Sequence, residues 1–177
     1  MNREQFEHVI KAAADLVNDE LVVIGSQAVL AQHPDAPTSL LKSAEVDLYP
    51  LNDPEQADVI DGVIGDGSRF HETYGYYGHG VGPETAVAPA GWQHRLVRLE
   101  LPAIKRKDGT IVAWCMSLED LVLAKLAAGR PHDTEFATEA IRAQLVDPDE
   151  LKRGLDLMPM SHRGITRERL ETVLAQM

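Results

Sequence analysis

Apolar residues at the start of the chain follow first a helical and then a strand-like spacing. They recur every three or four positions over residues 2–18, which predicts an amphipathic helix. A continuous apolar run over residues 21–24 follows, and such runs are typical of strands covered on both faces. Gly25 and Ser26 end this run, and residues 27–32 are compatible with a short helix. The pattern therefore predicts a helix, a buried strand, a tight turn and a second helix.

The next strand-like run, over residues 44–49, carries two acids. Side chains two apart on a strand point to the same face, so Glu45 and Asp47 are expected to project side by side. Val46 and Leu48 then face a core. Two carboxylates on a half-buried strand repel each other and resist desolvation. A divalent cation is a common remedy, and Mg²⁺ takes one or two carboxylates together with substrate phosphates.

The helical and strand-like spacings of apolar residues predict further elements along the chain. An apolar stripe over residues 54–64, opened by a proline, predicts a helix. Alternating residues predict a strand over 92–101, and an apolar run predicts a buried strand over 111–116. Residues 107–110 contain the Asp-Gly pair that is typical of a hairpin turn between such strands.

Residues 65–91 are rich in glycine, which indicates bends or bulges rather than a clean strand. A strand pair over residues 70–74 and 77–81 is one interpretation. A metal site at His71 and His79 is another, but no cysteine or third histidine has ligand-like spacing. The three tyrosines of this segment fit plain packing, or packing over a cleft where an aromatic face stacks a base.

The clearest helix covers residues 117–128, with an apolar face on which Lys125 falls. A lysine on an inner face needs a partner or a route to water, so Lys125 either snorkels or reaches an anionic group. Gly129 to Pro131 end this helix and begin another. The C-terminal part is predicted to be helical from Asp147 and again over residues 166–176, after a turn at 159–164.

Composition narrows the class of protein. The chain has 177 residues, 44% of them apolar, which suits a single domain. Within it we expect a sheet-containing core over about residues 1–115 and a helical portion, over about residues 117–177, that packs on this core. No apolar run approaches the roughly 20 residues that span a membrane. Cys115 is the one cysteine, so an intrachain disulfide is excluded and a cytoplasmic location is expected.

The charge of the chain limits how it can bind nucleic acid. A formal net charge of −11 argues against binding through the overall field of the protein. A local basic cluster remains, and it is either a nucleic-acid contact or a solvated strand end and turn. Its members are Arg95, Arg98, Lys105, Arg106 and Lys107.

A Gly-Ser turn, a short helix and two acids one residue apart on the next strand resemble the nucleotidyltransferase fold signature. The resemblance implies a minimal nucleotidyltransferase fold of the α/β (α+β) class, with a small mixed sheet flanked by helices. It implies that Gly25 and Ser26 bind a triphosphate, and that Glu45 and Asp47 hold Mg²⁺ or Mn²⁺. The usual acid pair in that family is Asp-x-Asp, and this chain has Glu45 in the first position.

Two further features extend the resemblance. Many nucleotidyltransferases place a third carboxylate on a neighbouring strand, and Glu100 takes that role if the predicted strand 92–101 lies beside the acids. The alternative is a solvent-facing edge residue paired with Arg98 or Arg95.

The segment LEDLVLAKLAAGRPHDTEF is similar to the Lys…Arg…Asp segment of AbiEii-like toxin nucleotidyltransferases and related families of unassigned function. By that likeness Lys125 and Arg130 neutralise the triphosphate and Asp133 orients a cation or acts near the acceptor. Glu135 also matches, whereas His132 stands where lysine is usual. The resemblance covers about residues 21–145.

The function implied is metal-dependent transfer of a nucleoside monophosphate from a nucleoside triphosphate to an acceptor hydroxyl. By the resemblance the acceptor is an RNA, such as a transfer RNA end, or a protein side chain, and the setting is a toxin–antitoxin pair with an antitoxin protein as partner. Two alternatives come from other classes: an inactive nucleotide-binding or antitoxin-side protein of the same fold, and a protein-interaction domain whose acids are surface charges. Glu45 and His132, as departures from the family pattern, favour the inactive protein.

Overall fold

The computed structural model describes residues 1–102 and 109–177, and its centre is a five-stranded mixed sheet. The strands are β1 (Leu21–Val23), β2 (Glu45–Pro50), β3 (Tyr77–Gly80), β4 (Val97–Pro102) and β5 (Thr110–Cys115). Their order across the sheet is β3-β2-β1-β5-β4. The pairs β1–β5 and β2–β3 are parallel, and the pairs β1–β2 and β4–β5 are antiparallel.

Helices flank this sheet and form most of the C-terminal part. They are α1 (Arg3–Val17), α2 (Val29–Gln32), α3 (Ala57–Ile64), α4 (Arg69–Tyr74), α5 (Leu118–Ala128), α6 (Pro131–Arg142), α7 (Pro148–Leu155) and α8 (Met160–Leu174). Helices α1 and α3 pack on the sheet, whereas α5 packs against α6, α7 and α8. The predicted α/β fold, with a mixed sheet and a helical C-terminal portion, is therefore confirmed.

Local signals explain where several helices begin and end. Asn2 caps α1 by accepting a hydrogen bond from the Gln5 backbone N–H, and the Gln5 side chain accepts from the Asn2 backbone in return. Ser117 caps α5 through the Asp120 N–H, and Gly129 ends it in the left-handed conformation. These caps lie where the sequence pattern predicts them.

Three predicted elements are wrong in type, extent or position. Residues 70–74 belong to helix α4 and not to a strand, because the Ser68 hydroxyl caps the helix and Gly75 ends it with a positive φ. The turn predicted at residues 159–164 is helical from Met160, directly after Pro159. The predicted strand 92–101 begins as a 3₁₀ turn and becomes β4 at Val97.

The position of β4 differs from the prediction as well. It pairs with β5 at one edge of the sheet, and two strands separate it from β2. The antiparallel pairing of β4 with β5 fits a hairpin, although residues 107 and 108 of the predicted turn lie outside the described residues. No helix within residues 1–102 or 109–177 is both long enough and apolar enough to cross a membrane.

Candidate functional site

The two acids of β2 project from one face of the sheet. Val46 and Leu48 are fully buried on the other face, which is what the strand alternation predicts. Asp47 is largely buried, with 23% of its side chain exposed. Burial raises the pKa of Asp47, and the negative charge of Glu45 adds to this, although a hydrogen bond with His79 opposes it. The pair is therefore a concentrated, partly desolvated negative charge.

Strand β3 provides a partner for each acid. The parallel register sets Tyr77 opposite Glu45 and His79 opposite Asp47. The Tyr77 hydroxyl donates to Glu45 Oε2 at 2.9 Å, and His79 Nδ1 lies 2.8 Å from Asp47 Oδ1. Burial and the hydrogen bond to Glu45 raise the pKa of Tyr77 to about 12, so its hydroxyl keeps the proton that it donates.

Gly25 allows β1 to approach the acids. Its backbone φ angle is +91°, a value that residues other than glycine rarely adopt. A Cβ at this position would overlap Asp47 Oδ2 and lie 2.9 Å from Asp47 Cγ. The glycine is needed here because the Asp47 carboxylate occupies the space of its missing side chain. Ser26 then begins the 3₁₀ turn that leads into α2.

Two cations, one in the last turn of α5 and one directly before α6, contact the same buried acid. Lys125 Nζ lies 2.9 Å from Asp133 Oδ1, and Arg130 Nε lies 2.6 Å from Asp133 Oδ2. Asp133 is fully buried, and 10% of the Lys125 side chain is exposed, so the lysine does not snorkel to water. Burial acts to raise the pKa of Asp133, but hydrogen bonds from Arg130 and Lys125 outweigh it and hold the pKa below its usual range.

The acids and the cations line two adjacent cavities of ≈ 270 and ≈ 240 Å³. The residues common to both are Glu45, Asp47, Lys125 and Arg130. The first, here called the polar cavity, is completed mainly by hydroxyl and charged groups, namely Ser26, Ser39, Lys42, Ser43, His132 and Glu135. The second, the apolar cavity, is completed by Gly25 and His79 and by aliphatic side chains such as Ile24, Val87, Met116 and Leu121.

The structure brings together most of the residues that the sequence singles out. Glu45, Asp47, Lys125 and Arg130 meet at both cavities, and Gly25 and Ser26 line one each. Asp133 is not among the described residues that line either cavity; its contacts position Lys125 and Arg130. A direct role for Asp133 in chemistry stays a prediction.

Glu100 does not join the site, which corrects its placement beside the acids. Strand β4, which carries it, lies at the edge of the sheet away from β2, and Glu100 forms an ion pair with Arg98. The alternative interpretation of Glu100 as an edge residue is therefore the right one. Among the described residues, the third side chain near the acids with an atom that could ligate a metal is His79 on β3. Ligand atoms of Glu45, Asp47 and His79 all lie within 4.8 Å of one another.

The sequence analysis missed Tyr77 and His79 as partners of the acids. It considered His79 only together with His71, but His71 contacts Asp66 and the Tyr77 ring and is not part of the cluster. The signal was present in the segment YGHG, because Tyr77 and His79 are two apart on a strand, as the acids are. The other two tyrosines pack with His8 and Phe70.

Two members of the basic cluster, Arg95 and Arg98, are among the described residues, and both form ion pairs. Arg95 donates to both carboxylate oxygens of Asp120 at 2.9 Å, and Arg98 pairs with Glu100. Lys105, Arg106 and Lys107 lie outside the described residues. Both arginines are partly exposed next to the start of β4, which fits a solvated strand end, and a contact with nucleic acid stays a prediction.

Comparison with known proteins gives one match. A family model described as "Nucleotidyltransferase of unknown function (DUF6036)" matches residues 4–161. No curated protein and no solved structure matches the chain. The matched range contains every residue that lines the polar and apolar cavities.

Proposed function

Since the chain belongs to the DUF6036 family of nucleotidyltransferases of unknown function, we propose that the two cavities are its active site. The proposed reaction moves a nucleoside monophosphate from a nucleoside triphosphate to an acceptor hydroxyl. The observation that carries the proposal is that the acid pair and two cations, which are distant from each other in the sequence, line the same two cavities. Phosphoryl chemistry needs positioning and charge neutralisation, and these residue types supply both.

The donor set fits a divalent cation. Glu45 and Asp47 are the residues that would hold Mg²⁺ or Mn²⁺, because carboxylate oxygens suit both ions and the burial of Asp47 favours a compensating positive charge. When bound, such an ion supplies Lewis-acid charge stabilisation to the reacting phosphate.

The polar cavity suits the triphosphate. Lys125 and Arg130 offset its negative charge, and the hydroxyl groups of Ser26, Ser39 and Ser43 are donors for its oxygens. Asp133 keeps Lys125 and Arg130 in place from beneath, since it is buried and accepts from both. This arrangement binds and orients the donor substrate beside the acids.

In the proposed transfer, a bond forms between the acceptor oxygen and the α-phosphorus. The bond from the α-phosphorus to the oxygen that bridges to the β-phosphorus breaks, and pyrophosphate leaves with the electron pair. The hydroxyl proton passes to water. The acceptor, by the resemblance to AbiEii-like toxin nucleotidyltransferases, is an RNA such as transfer RNA or a protein hydroxyl, within a toxin–antitoxin pair.

The test is transfer of label from nucleoside triphosphates labelled at the α-phosphate. The full chain is incubated with each of the four nucleotides, Mg²⁺ or Mn²⁺, and either total transfer RNA or a protein extract. We expect label in one acceptor fraction, and an Asp47→Asn variant should lower the rate by about 10²-fold or more.

Calorimetry with the same nucleotides separates the other classes. Nucleotide binding without label in any fraction would contradict transfer and indicate the inactive binding protein. No binding of nucleotide or cation at all would indicate a protein-interaction domain. The Asp47→Asn variant must keep the wild-type melting temperature for the comparison to count, because its carboxylate packs on Gly25.

A further inference from the structure

We propose that His79 is a third protein ligand of the cation, and that it makes the site prefer a first-row transition-metal ion, with Mn²⁺ as the example, over Mg²⁺. The proposal deepens the proposed function, since it concerns the cation of the same site. It has a separate test, because binding of the cation to the protein can be measured without substrate or turnover.

The position of His79 is the first argument. The parallel register of β2 and β3 pairs Asp47 with His79, so both side chains project from the same face at the same level. His79 Nδ1 lies 2.8 Å from Asp47 Oδ1. One ligand atom from each of Glu45, Asp47 and His79 lies within 4.8 Å of the other two, so one nitrogen and two oxygen donors are close to one point. His79 is 45% exposed and lines the apolar cavity, so the point is accessible to an ion.

The construction of β3 is the second argument, and it is independent of the cluster. Gly78 and Gly80 alternate with Tyr77 and His79, and they face the helices that cover the opposite side. A Cβ on Gly80 would overlap the Ala57 carbonyl, with its carbon 2.7 Å away. Since the helix leaves room only for glycine, a one-residue slip of β3 is excluded. Tyr77 and His79 are therefore held towards the acids.

Tyr77 and His79, the two partners of the acids on β3, differ in what they can contribute to the site. The Tyr77 hydroxyl donates a hydrogen bond to Glu45 Oε2 at 2.9 Å, so it fixes the orientation of that carboxylate. His79 carries ring nitrogens, which are metal ligands when they are neutral. The strand thus provides one residue that orients a carboxylate and one that can add a donor atom.

The chemistry of the donor set gives the preference. Mg²⁺ is a hard ion that favours oxygen ligands and keeps several waters, whereas imidazole suits transition metals. Among the first-row divalent ions Mn²⁺ is at the weak end of the affinity series and also accepts carboxylates. It is therefore a strict probe: a preference for Mn²⁺ over Mg²⁺ that is lost when the imidazole is removed reflects the nitrogen donor.

The experiment measures cation binding to the full chain without nucleotide. Mn²⁺ and Mg²⁺ are titrated by calorimetry, and bound Mn²⁺ is examined by pulsed electron paramagnetic resonance for coupling to a directly ligated ¹⁴N nucleus. We expect wild-type protein to bind Mn²⁺ at least about tenfold more tightly than Mg²⁺ and to show the ¹⁴N coupling.

Two variants at position 79 and one matched control make the result specific. His79→Gln keeps a hydrogen-bonding side chain but removes the ring nitrogen, and should lose the coupling and about tenfold or more in Mn²⁺ affinity. His79→Asp should lose the coupling and shift the preference towards Mg²⁺. His71→Gln, which changes a histidine outside the cluster, should behave as wild type.

The outcomes separate this proposal from the proposed function. Wild-type protein without ¹⁴N coupling, or His79→Gln with unchanged Mn²⁺ affinity, would overturn the role of His79 even if label transfer proceeds. If the ¹⁴N coupling of bound Mn²⁺ is lost only in the two position-79 variants, His79 is supported as a ligand even when no acceptor is labelled. Melting temperatures of the variants, measured without metal, exclude unfolding as the cause.

Discussion

At the scale of single residues, the site depends on the contact between Gly25 and Asp47. The carboxylate of Asp47 lies where a side chain on residue 25 would be, so the turn after β1 and the acid of β2 are fitted to each other. Burial of Asp47 raises its pKa, and the hydrogen bond with His79 offsets part of the free-energy cost of burying the carboxylate. Gly25 is therefore as specific a feature of the site as the acid itself.

The first prediction concerns Gly25→Ala. The added Cβ overlaps Asp47 Oδ2 and also strains a backbone with φ of +91°, so Asp47 must turn away. We expect a loss of about 1–3 kcal/mol in the free energy of unfolding and at least about tenfold weaker Mn²⁺ binding, measured by urea unfolding and calorimetry.

Gly67→Ala is the matched control. Gly67 also has a positive φ, of +71°, but nothing lies within 4 Å of a Cβ there. It should lose comparable stability and bind Mn²⁺ as wild type does. Equal Mn²⁺ affinity in the two variants would show that the Gly25–Asp47 contact has no role in cation binding.

At the scale of secondary structure, β3 determines which side chains meet the acids. Its glycines pack against α1 and α3, with Val9 and Ile64 near Gly78 and Ala57 near Gly80. Such close packing of a strand on a helix requires the absence of a Cβ. The glycine-rich segment, for which the sequence indicates bends or a strand pair over 70–74 and 77–81, therefore contains the second of these strands as β3, and the glycines of β3 serve packing.

The second prediction concerns Gly80→Ala. The new methyl group overlaps the Ala57 carbonyl, which is backbone and cannot rotate away, so β3 and α3 must separate. We expect a loss of about 2–3 kcal/mol in unfolding free energy, as for overpacked cores, and weaker Mn²⁺ binding because His79 moves.

Gly62→Ala in α3 is the control for that variant. No atom lies within 4 Å of a Cβ at position 62, and alanine is the better helix former. The control should gain about 0.5–1 kcal/mol in unfolding free energy and keep cation binding. If Gly80→Ala proved as stable as wild type, the close packing of β3 on α3 would be refuted.

At the scale of the whole molecule, the site joins the sheet to the C-terminal helices. The acids and His79 come from β2 and β3, whereas the cations come from α5 and the residue that precedes α6. The buried ion group of Asp133, Lys125 and Arg130 connects α5 to α6 beneath the cavities. Removal of one member of such a group leaves a buried charge without a partner.

The third prediction concerns the pH dependence of stability. The pKa of Asp133 is below its usual 3.8 in the folded protein, so its contribution is complete above that pH and is lost as the pH falls through the folded value. Asp133→Asn should lower the unfolding free energy by about 3 kcal/mol near neutral pH, since Lys125 loses its partner. The difference from wild type should shrink as the pH falls below 3.8 and towards the lower pKa of folded Asp133.

Asp149→Asn serves as the control for the acid experiment. Asp149 pairs with Lys152 on the surface, where solvent and salt screen the interaction. The unfolding free energy of the Asp149→Asn variant should stay near that of wild type at every pH. A difference between Asp133→Asn and wild type that does not change with pH would contradict the assignment of the ion group as the cause.

The sequence by itself determined the local elements and the chemistry of several site residues. Helical spacing predicts α1 and α5, and the alternation around Glu45 and Asp47 places both acids on one face, because these properties depend on neighbours in the chain. The Gly-Ser turn and the Lys125 to Asp133 segment are also read along the chain, but their predicted roles follow from the resemblance to nucleotidyltransferases.

Only the tertiary structure decided which strands lie beside the acids. Strand pairing joins residues that are distant in sequence, and no local pattern shows that β3 rather than β4 pairs with β2. That order places His79, not Glu100, next to Asp47. The packing of α5 against α6 makes Asp133 the buried partner of Lys125 and Arg130. Residue types can be read along the chain, whereas distances between them arise when the chain packs.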